Sequence, residues 1–328
     1  MLVKKSTKSE ILTKKGNYSL LNLSLKSLKK FKHFLSKYRA LRLKRRGSFT
    51  QRGMPINSER SSSPEFKVPA EPRTRENYNV KLSKSEVELE YLLGSGGFGS
   101  VYKGTYQKKD VAVKVMHKIS KNPEAHLESF KAEQLVLGFK HPNIVRTIAT
   151  TSIELFNDGA WIVMELAGRR TLQSLINDDS EILCEERRLR FSLQIASALK
   201  YSHDKSVIDN EKGLVSPTQR SALTGTFAYR APELLRGEAP TKKADIFSFG
   251  ITLWEMLARK TPYSGENQHV VIFGVVAYGQ RPKHPEIECG PFEECYRDLY
   301  SQCWSANSSD RPDAKELVEL LKIWKNFL

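Results

Sequence analysis

The 328-residue sequence has few cysteines and no long apolar run. Its cysteines, Cys184, Cys289, Cys295 and Cys303, form no CxxC pair and no His/Cys spacing that suits a metal, so we expect reduced thiols in a cytoplasmic or nuclear protein. The longest apolar run, around Val270–Ala277, is well short of the ~20 residues that span a bilayer. The N-terminus lacks an apolar core followed by a small-residue cleavage site. The sequence therefore predicts neither a membrane span nor secretion.

Acidic residues are scarce in only one part of the chain. Residues 1–80 hold 20 Lys/Arg and 5 Asp/Glu, which is +15 of the formal net charge of +16. The other 248 residues hold 33 Lys/Arg and 32 Asp/Glu. The basic charge therefore belongs to a tail. The hydrophobic content of 39% is enough for a folded core in the remainder.

The basic tail over 1–80 divides into two predicted parts. Apolar residues recur near helical spacing over Leu20–Leu43, which predicts a basic amphipathic helix. The Ser-, Arg- and Pro-rich stretch over Gly47–Pro72 predicts a disordered linker. The helix is a candidate for contact with a membrane surface or a partner protein. A solvated arm, a mitochondrial presequence and a nuclear-import signal at 44–46 stay open, whereas nucleic-acid binding is disfavoured because aromatic residues are few.

A glycine-rich loop with the pattern GxGxxGxV begins the balanced part of the chain. Glycines allow the backbone to approach phosphates, whose oxygens accept hydrogen bonds from the exposed N–H groups. A Rossmann turn shares this pattern but requires a helix next. Here Val101–Tyr106 continues as a strand, which favours a β-hairpin over the nucleotide. The candidate nucleotide-binding residues of this loop are Leu93, Gly94, Ser95, Gly96, Gly97, Phe98, Gly99 and Val101.

The next strand, Val111–Val115, carries a candidate phosphate ligand. Side chains alternate along a strand, so Ala112 and Lys114 share one face and the valines share the other. Ala112 is small enough to lie against an adenine ring, and Lys114 can then reach the α- and β-phosphates. The spacing from the glycine-rich loop favours this role over that of a solvated lysine.

A helix is predicted after this strand, with Asn122 as its cap. Phe130, Glu133 and Leu137 have the i, i+3, i+7 spacing of one inward face. A glutamate on an apolar face needs a cationic partner. Lys114 is the natural one, and the pair would orient the lysine toward the nucleotide.

Three later patterns complete a resemblance. A strand is predicted at Trp161–Glu165, GTFAYRAPE stands at Gly225–Glu233, and Asp-Arg-Pro stands at 310–312. With the loop, lysine and glutamate, these patterns resemble the eukaryotic protein kinases. The resemblance implies an α+β, bilobal fold, with a small β-rich lobe containing one helix over 81–165 and a larger helical lobe over 166–328.

The resemblance also implies roles for further residues. Met164 would be the gatekeeper, and the backbone from Glu165 onward would face adenine in the ATP site. ATP is the implied cofactor, with Mg²⁺ expected for the family. Glu233 would pair with Arg311. The implied activation-segment and structural residues are Thr226, Glu233, Asp245 and Arg311.

Four stretches look like animal Mos kinases, namely Gly96–Lys103, Ser248–Trp254, Pro262–His269 and Val275–Tyr278. The resemblance covers about 86–325 and excludes the tail. It implies a monomeric serine/threonine kinase that transfers the ATP γ-phosphate to a MAP kinase kinase, notably in oocyte meiosis, with no nucleic-acid partner.

The sequence departs from this pattern at one junction. In protein kinases, the stretch that matches Ala198–Val207 runs into His-x-Asp, then Asn, then Asp-Phe-Gly. Here it runs into Ile208–Gly213, and Ala231-Pro232-Glu233 arrives only 23 residues after Ile208. About thirty residues are therefore missing, including the catalytic base and the Asn and Asp that hold magnesium. Asp204 and Asp209 are poor substitutes, because an acid must be positioned before its pKa matters.

Two hypotheses stay open. In the first, the gene encodes a Mos-type kinase, and this chain is a catalytically impaired splice form or an incomplete gene model. Alternatively, the chain is a pseudokinase or binding module that binds nucleotide or partner proteins without phosphotransfer. Under either, the large lobe is incomplete, and we expect it to be poorly stable because its central helix loses apolar cover.

Overall fold

A computed structural model describes residues 82–118, 123–168, 170–210, 227–286 and 290–326. All of them belong to the unit Asn79–Leu328. The predicted tail helix and linker lie outside the described residues, as do Asn122, Thr226 and Cys289. No helix within the described ranges is both long and apolar enough to cross a membrane.

Five antiparallel strands form the sheet of the small lobe. The strands are β1 (Val87–Ser95), β2 (Gly99–Tyr106), β3 (Lys109–Met116), β4 (Thr147–Thr150) and β5 (Trp161–Glu165). Their order in the sheet is β1-β2-β3-β5-β4. β2 pairs with β3 so that Val101 lies opposite Lys114, and β3 pairs with β5 so that Ala112 lies opposite Met164. The candidate nucleotide residues therefore lie on three neighbouring strands.

Each face of the sheet has its own apolar cluster. Val111 and Val113 are buried with Ala149 and Val163 on one side. On the other side, Met116 and Ile162 pack with Phe130 of the single described small-lobe helix, α1 (Pro123–Leu135). The predicted alternation along β3 is thus observed, because the side chains of a strand project to opposite faces.

The large lobe is helical in its described residues. The helices are α2 (Leu172–Ile176), α3 (Glu185–Asn210), α4 (Pro232–Leu235), α5 (Lys242–Ala258), α6 (Gln268–Ala277), α7 (Pro291–Cys303) and α8 (Ala314–Lys325). The central helix α5 begins after Thr241, whose side chain accepts a hydrogen bond from the Ala244 N–H as an N-cap. The longest of the described helices, α3, packs against α8 and α5, and α7 also packs against α5.

The expectation that the central helix would lose part of its apolar cover was wrong. The apolar side chains of α5 lie in a core formed with α3 and α7, so the remaining helices still exclude water from them. The buried apolar side chains of α5 include Ile246, Phe247, Phe249, Ile251, Leu253, Trp254, Met256 and Leu257.

Helix α3 runs through the sequence junction without a break. It spans Glu185–Asn210, so both Val207 and Ile208 have helical backbone. The α+β, two-lobed architecture expected from the sequence is confirmed: a β-sheet lobe is followed by a helical lobe.

Candidate functional site

The centre of the candidate site is an ion pair between β3 and α1. Lys114 Nζ donates to Glu133 Oε1 at 2.9 Å, and the side chains are 19% and 31% exposed. The pair is thus partly shielded from water but open on one side. Strand β3 supplies the lysine and the inward face of α1 supplies the glutamate, as the spacing predicted. Leu137, expected on that face, lies beyond the end of the helix.

The glycine-rich loop presents an open backbone to the cleft. A Cβ on Gly94, Gly96 or Gly97 would meet no atom within 4 Å. A Cβ on Gly99 would lie 2.4 Å from the Val115 carbonyl oxygen, so only glycine fits where β2 crosses β3. A hydrogen bond of 2.9 Å from the Gly96 N–H to the Gly99 carbonyl closes the turn. The loop therefore has space above its backbone for phosphate oxygens.

Phe98, at the tip of the loop, turns toward α1. Its ring packs against the cluster of Met116, Phe130 and Ile162. Its carbonyl oxygen lies 2.6 Å from Nε2 of His126 and also accepts the His117 N–H at 3.1 Å. Sequence reasoning missed His126, because a lone histidine in a helix carries no signal of such a contact.

The residues expected to contact adenine lie on β3 and β5. Ala112 is buried opposite Met164, which packs against the cluster beneath α1. The Glu165 N–H donates to the Arg146 carbonyl at 2.9 Å, and the Glu165 carboxylate accepts the Arg146 N–H at 3.1 Å. The Glu165 amide is therefore already occupied, so the predicted adenine contacts from Glu165 onward would involve other backbone groups. Leu93 is 46% exposed at the start of the loop.

The large lobe contains the predicted buried ion pair. Arg311 donates to both carboxylate oxygens of Glu233, at 2.6 and 2.9 Å, and both residues are buried. Burial by itself would raise the pKa of Glu233, but the hydrogen bonds from Arg311 hold that pKa below its ordinary value. The guanidinium also lies over the Phe247 ring, 5.2 Å from its centroid. The pair thus connects α4 to the segment before α8.

Asp245, in the first turn of α5, contacts α3. Its Oδ2 lies 2.9 Å from Nε2 of His203, and Lys242 donates to the His203 carbonyl at 2.6 Å. The His203 side chain thus contacts Asp245, the aspartate that, by the kinase resemblance, would hold the catalytic loop. Sequence reasoning missed His203, which lies just ahead of the junction.

Acidic groups do not gather into a metal site in the part of the chain that the structure describes. Within it, no three His, Cys, Asp or Glu side chains lie close enough to hold an ion. Asp204 is paired with Lys200 at 2.6 Å on the exposed side of α3, and the side chain of Asp209 lies outside the described residues. The magnesium ligands expected for the protein kinases belong to the segment that this sequence lacks.

Comparison with known families agrees with this geometry. A family described as protein tyrosine and serine/threonine kinase matches residues 87–211, and one described as protein kinase domain matches 212–321. The chain is 43% identical to the serine/threonine-protein kinase mos of Patiria pectinifera, covering 74% of this chain and 77% of that protein. The chain belongs to the Mos family of serine/threonine protein kinases.

Other Mos proteins show the same extent of similarity. The Xenopus laevis protein is 36% identical over 72% of this chain and 76% of its own length. The proto-oncogene kinase mos of Mus musculus is 35% identical over 74% and 82%. As protein kinases, members of the Mos family phosphorylate proteins and use ATP with Mg²⁺.

The alignment with the Patiria protein bears on the length of the missing segment. The Patiria match extends over 273 positions but covers 74% of 328 residues, which is about 243. About thirty positions of that Mos protein therefore have no counterpart here, the number estimated for the missing catalytic segment.

Proposed function

We propose that this chain is a Mos-type kinase that binds ATP in its small lobe but is severely impaired in phosphotransfer. The observation that carries the first part is the Lys114–Glu133 pair at 2.9 Å beneath an open glycine-rich backbone. A lysine held in this way can contact the α- and β-phosphates, while the loop N–H groups bind phosphate oxygens.

Impairment follows from the chemistry that the chain lacks. Phosphoryl transfer needs a carboxylate near the substrate hydroxyl and ligands that hold magnesium on the phosphates. The sequence lacks the His-x-Asp and Asp-Phe-Gly segment, and the described acidic residues form no cluster. Loss of such groups costs on the order of a thousandfold or more in turnover. The form with the segment would phosphorylate a MAP kinase kinase, as the family resemblance implies.

Two observations favour a second candidate function, a nucleotide- or partner-binding module. Helix α3 continues through the junction, and the central helix remains covered. A chain that buries its core without the catalytic segment can act as a folded module in its own right. Contact of the basic tail with a membrane surface and a monomeric state are part of this proposal.

The test compares this chain with a version that carries the corresponding thirty or so residues of the Patiria protein between Val207 and Ile208. Titration calorimetry should show ATP binding by both, without magnesium dependence for the natural chain. Only the extended version should phosphorylate a kinase-inactive MAP kinase kinase. Phosphotransfer by the natural chain would overturn the claim of impairment, and absence of ATP binding would overturn the nucleotide site.

Transcript sequencing across the codons for Val207–Asp209 distinguishes the two hypotheses, an impaired form of an active kinase and a binding module. A main transcript with an insertion of about thirty codons that encodes His-x-Asp and Asp-Phe-Gly would make this chain a minor form of an active kinase. Transcripts that all join Val207 to Ile208 would make the binding module the product of the gene.

A further inference from the structure

The inward face of α1 carries two polar groups that contact different parts of the candidate nucleotide site. His126 and Glu133 are seven residues apart, so two helical turns place them on the same side, with Phe130 between them. Glu133 contacts Lys114 and His126 contacts the glycine-rich loop. A single rigid helix thus connects both phosphate-binding elements to each other.

The contact of His126 is specific and shielded from water. The side chain is 2% exposed, and Nε2 lies 2.6 Å from the Phe98 carbonyl oxygen. Because a carbonyl oxygen can only accept, the imidazole donates through Nε2–H. The imidazole ring also lies against two phenylalanine rings, with centroids 5.7 Å from Phe98 and 5.4 Å from Phe156. The imidazole is therefore held by both packing and a hydrogen bond.

The accepting carbonyl belongs to the loop tip. Gly97 and Gly99 flank Phe98, and the His117 N–H donates to the same oxygen at 3.1 Å. The glycines on the other side of the loop meet nothing within 4 Å of a Cβ position, so the protein supplies little packing there. These two hydrogen bonds and the packing of the Phe98 ring attach the loop tip to the rest of the lobe.

We propose that His126 is a positioning residue for the nucleotide phosphates: it anchors the Phe98 carbonyl and so couples the glycine-rich loop to the helix that carries Glu133. This inference rests on the proposed nucleotide site. His126 touches no nucleotide itself. Its hydrogen bond sets where the loop N–H groups lie, and an ordered loop binds phosphate without first paying an ordering cost.

The test uses variants of the full 328-residue chain. His126→Phe keeps an aromatic ring against Phe98 and Phe156 but removes the donor, whereas His126→Gln keeps a donor and removes the ring. His269→Phe is the matched control, because it makes the same substitution at an exposed histidine in the helical lobe. ATP and adenosine affinities are measured by calorimetry in EDTA, since the loop contacts phosphates and not the nucleoside.

His126→Phe should weaken ATP binding by about 3- to 10-fold, as expected for one buried hydrogen bond, and leave adenosine binding unchanged. His126→Gln should restore ATP affinity to within about twofold of the natural chain. Equal losses for ATP and adenosine would indicate a merely structural role and overturn the inference, as would unchanged ATP binding by His126→Phe.

Hydrogen exchange without ligand tests the same inference independently. Amides of the loop over 93–101 should exchange at least several-fold faster in His126→Phe and at the natural rate in His269→Phe. Unchanged loop exchange would overturn the inference. If the natural chain bound neither ATP nor adenosine, the proposed function would fail, while faster loop exchange would still support the anchoring role of His126.

Discussion

Asp245, at the start of the central helix, is paired with His203 at the end of α3: their Oδ2 and Nε2 atoms are 2.9 Å apart. An ionised carboxylate has no hydrogen to donate, so the imidazole is the donor. His203 is buried, and the Asp245 side chain is 25% exposed. This contact provides a partner for a carboxylate that, by the kinase resemblance, would otherwise hold the missing catalytic loop.

Replacing His203 with alanine should lower the free energy of unfolding by about 1–3 kcal/mol, because Asp245 loses its donor in a partly buried site. His203→Gln should lose less, since the amide can still donate. Urea denaturation measures both. Lys200→Ala is the control: it breaks an exposed pair on the same helix and should change stability by about 0–1 kcal/mol. Equal effects of His203→Ala and Lys200→Ala would contradict the role of His203.

Replacing Lys114 with methionine should weaken ATP binding about 10- to 100-fold, because charge-assisted hydrogen bonds to phosphate contribute about 1.5–3 kcal/mol. Adenosine affinity should stay the same, since the lysine is proposed to contact phosphates only. Calorimetry without magnesium measures both. Lys131→Met is the matched control, because its partner Glu128 lies on the outer part of α1. An equal loss of ATP binding in the control would argue against a site at Lys114.

Breaking the buried Arg311–Glu233 pair should destabilise the large lobe strongly. Arg311→Ala leaves Glu233 buried without a cation, a change that costs about 3–5 kcal/mol. Arg311→Lys should rescue little, because an ammonium cannot donate to both carboxylate oxygens in the observed fork. Thermal and urea denaturation measure the loss.

The control for this pair is the exposed Arg236–Glu238 contact, whose side chains are 46% and 55% exposed. Glu238→Ala should change stability by less than about 1 kcal/mol. The pH dependence gives a second check. Because its folded pKa is lowered, Glu233 stabilises the fold above its unfolded pKa, and this contribution is lost as pH falls through the folded value.

Glu185, at the start of α3, should make the protein less stable as pH rises from about 4.5 to 7. Burial, followed by the negative charge of Glu293, raises its pKa from 4.5 to about 7. Between these values the unfolded chain has released the proton and the folded chain has kept it, so unfolding becomes easier with rising pH. Glu185→Gln should therefore stabilise the chain by about 1 kcal/mol at pH 8, after allowance for solvent screening, with almost no effect near pH 4.5.

Urea denaturation at pH 4.5, 6 and 8 measures this trend. Glu294→Gln, at an exposed position in the first turn of α7, serves as the control. Its effect should be the same at pH 6 and pH 8. A Glu185→Gln effect that does not grow from pH 4.5 to pH 8 would show that the carboxyl titrates as an ordinary exposed group.

Most of the small lobe could be predicted, because its signals are local. Alternation placed Ala112 and Lys114 on one face of β3, and helical spacing placed Phe130 and Glu133 on one face of α1. The end of that helix was less predictable: Leu137 fits the apolar period but lies in the following turn. The role of Phe98 as a ring packed against α1 was also not predictable, because the loop pattern says nothing about where its tip turns.

The large lobe shows where local reasoning was insufficient. The expected loss of cover over α5 rested on removing a segment while leaving its neighbours in place. In the fold, α3 continues as a helix to Asn210 and packs on α5 and α8, so the apolar side chains remain buried. Such packing depends on which helices contact each other, and those contacts are made by residues that are distant in sequence.

The sequence by itself determined the kinase family, the glycine-rich loop, the lysine and glutamate of the ion pair, and the absence of the catalytic segment. These follow from residue types at short, regular spacings, where backbone geometry dictates which side chains share a face. Only the tertiary structure decided that His126 anchors the loop and that His203 pairs with Asp245. The two contacts join residues that are 28 and 42 positions apart, respectively. The sequence around a histidine does not indicate its hydrogen-bond partner, because only folding brings that partner within hydrogen-bonding distance.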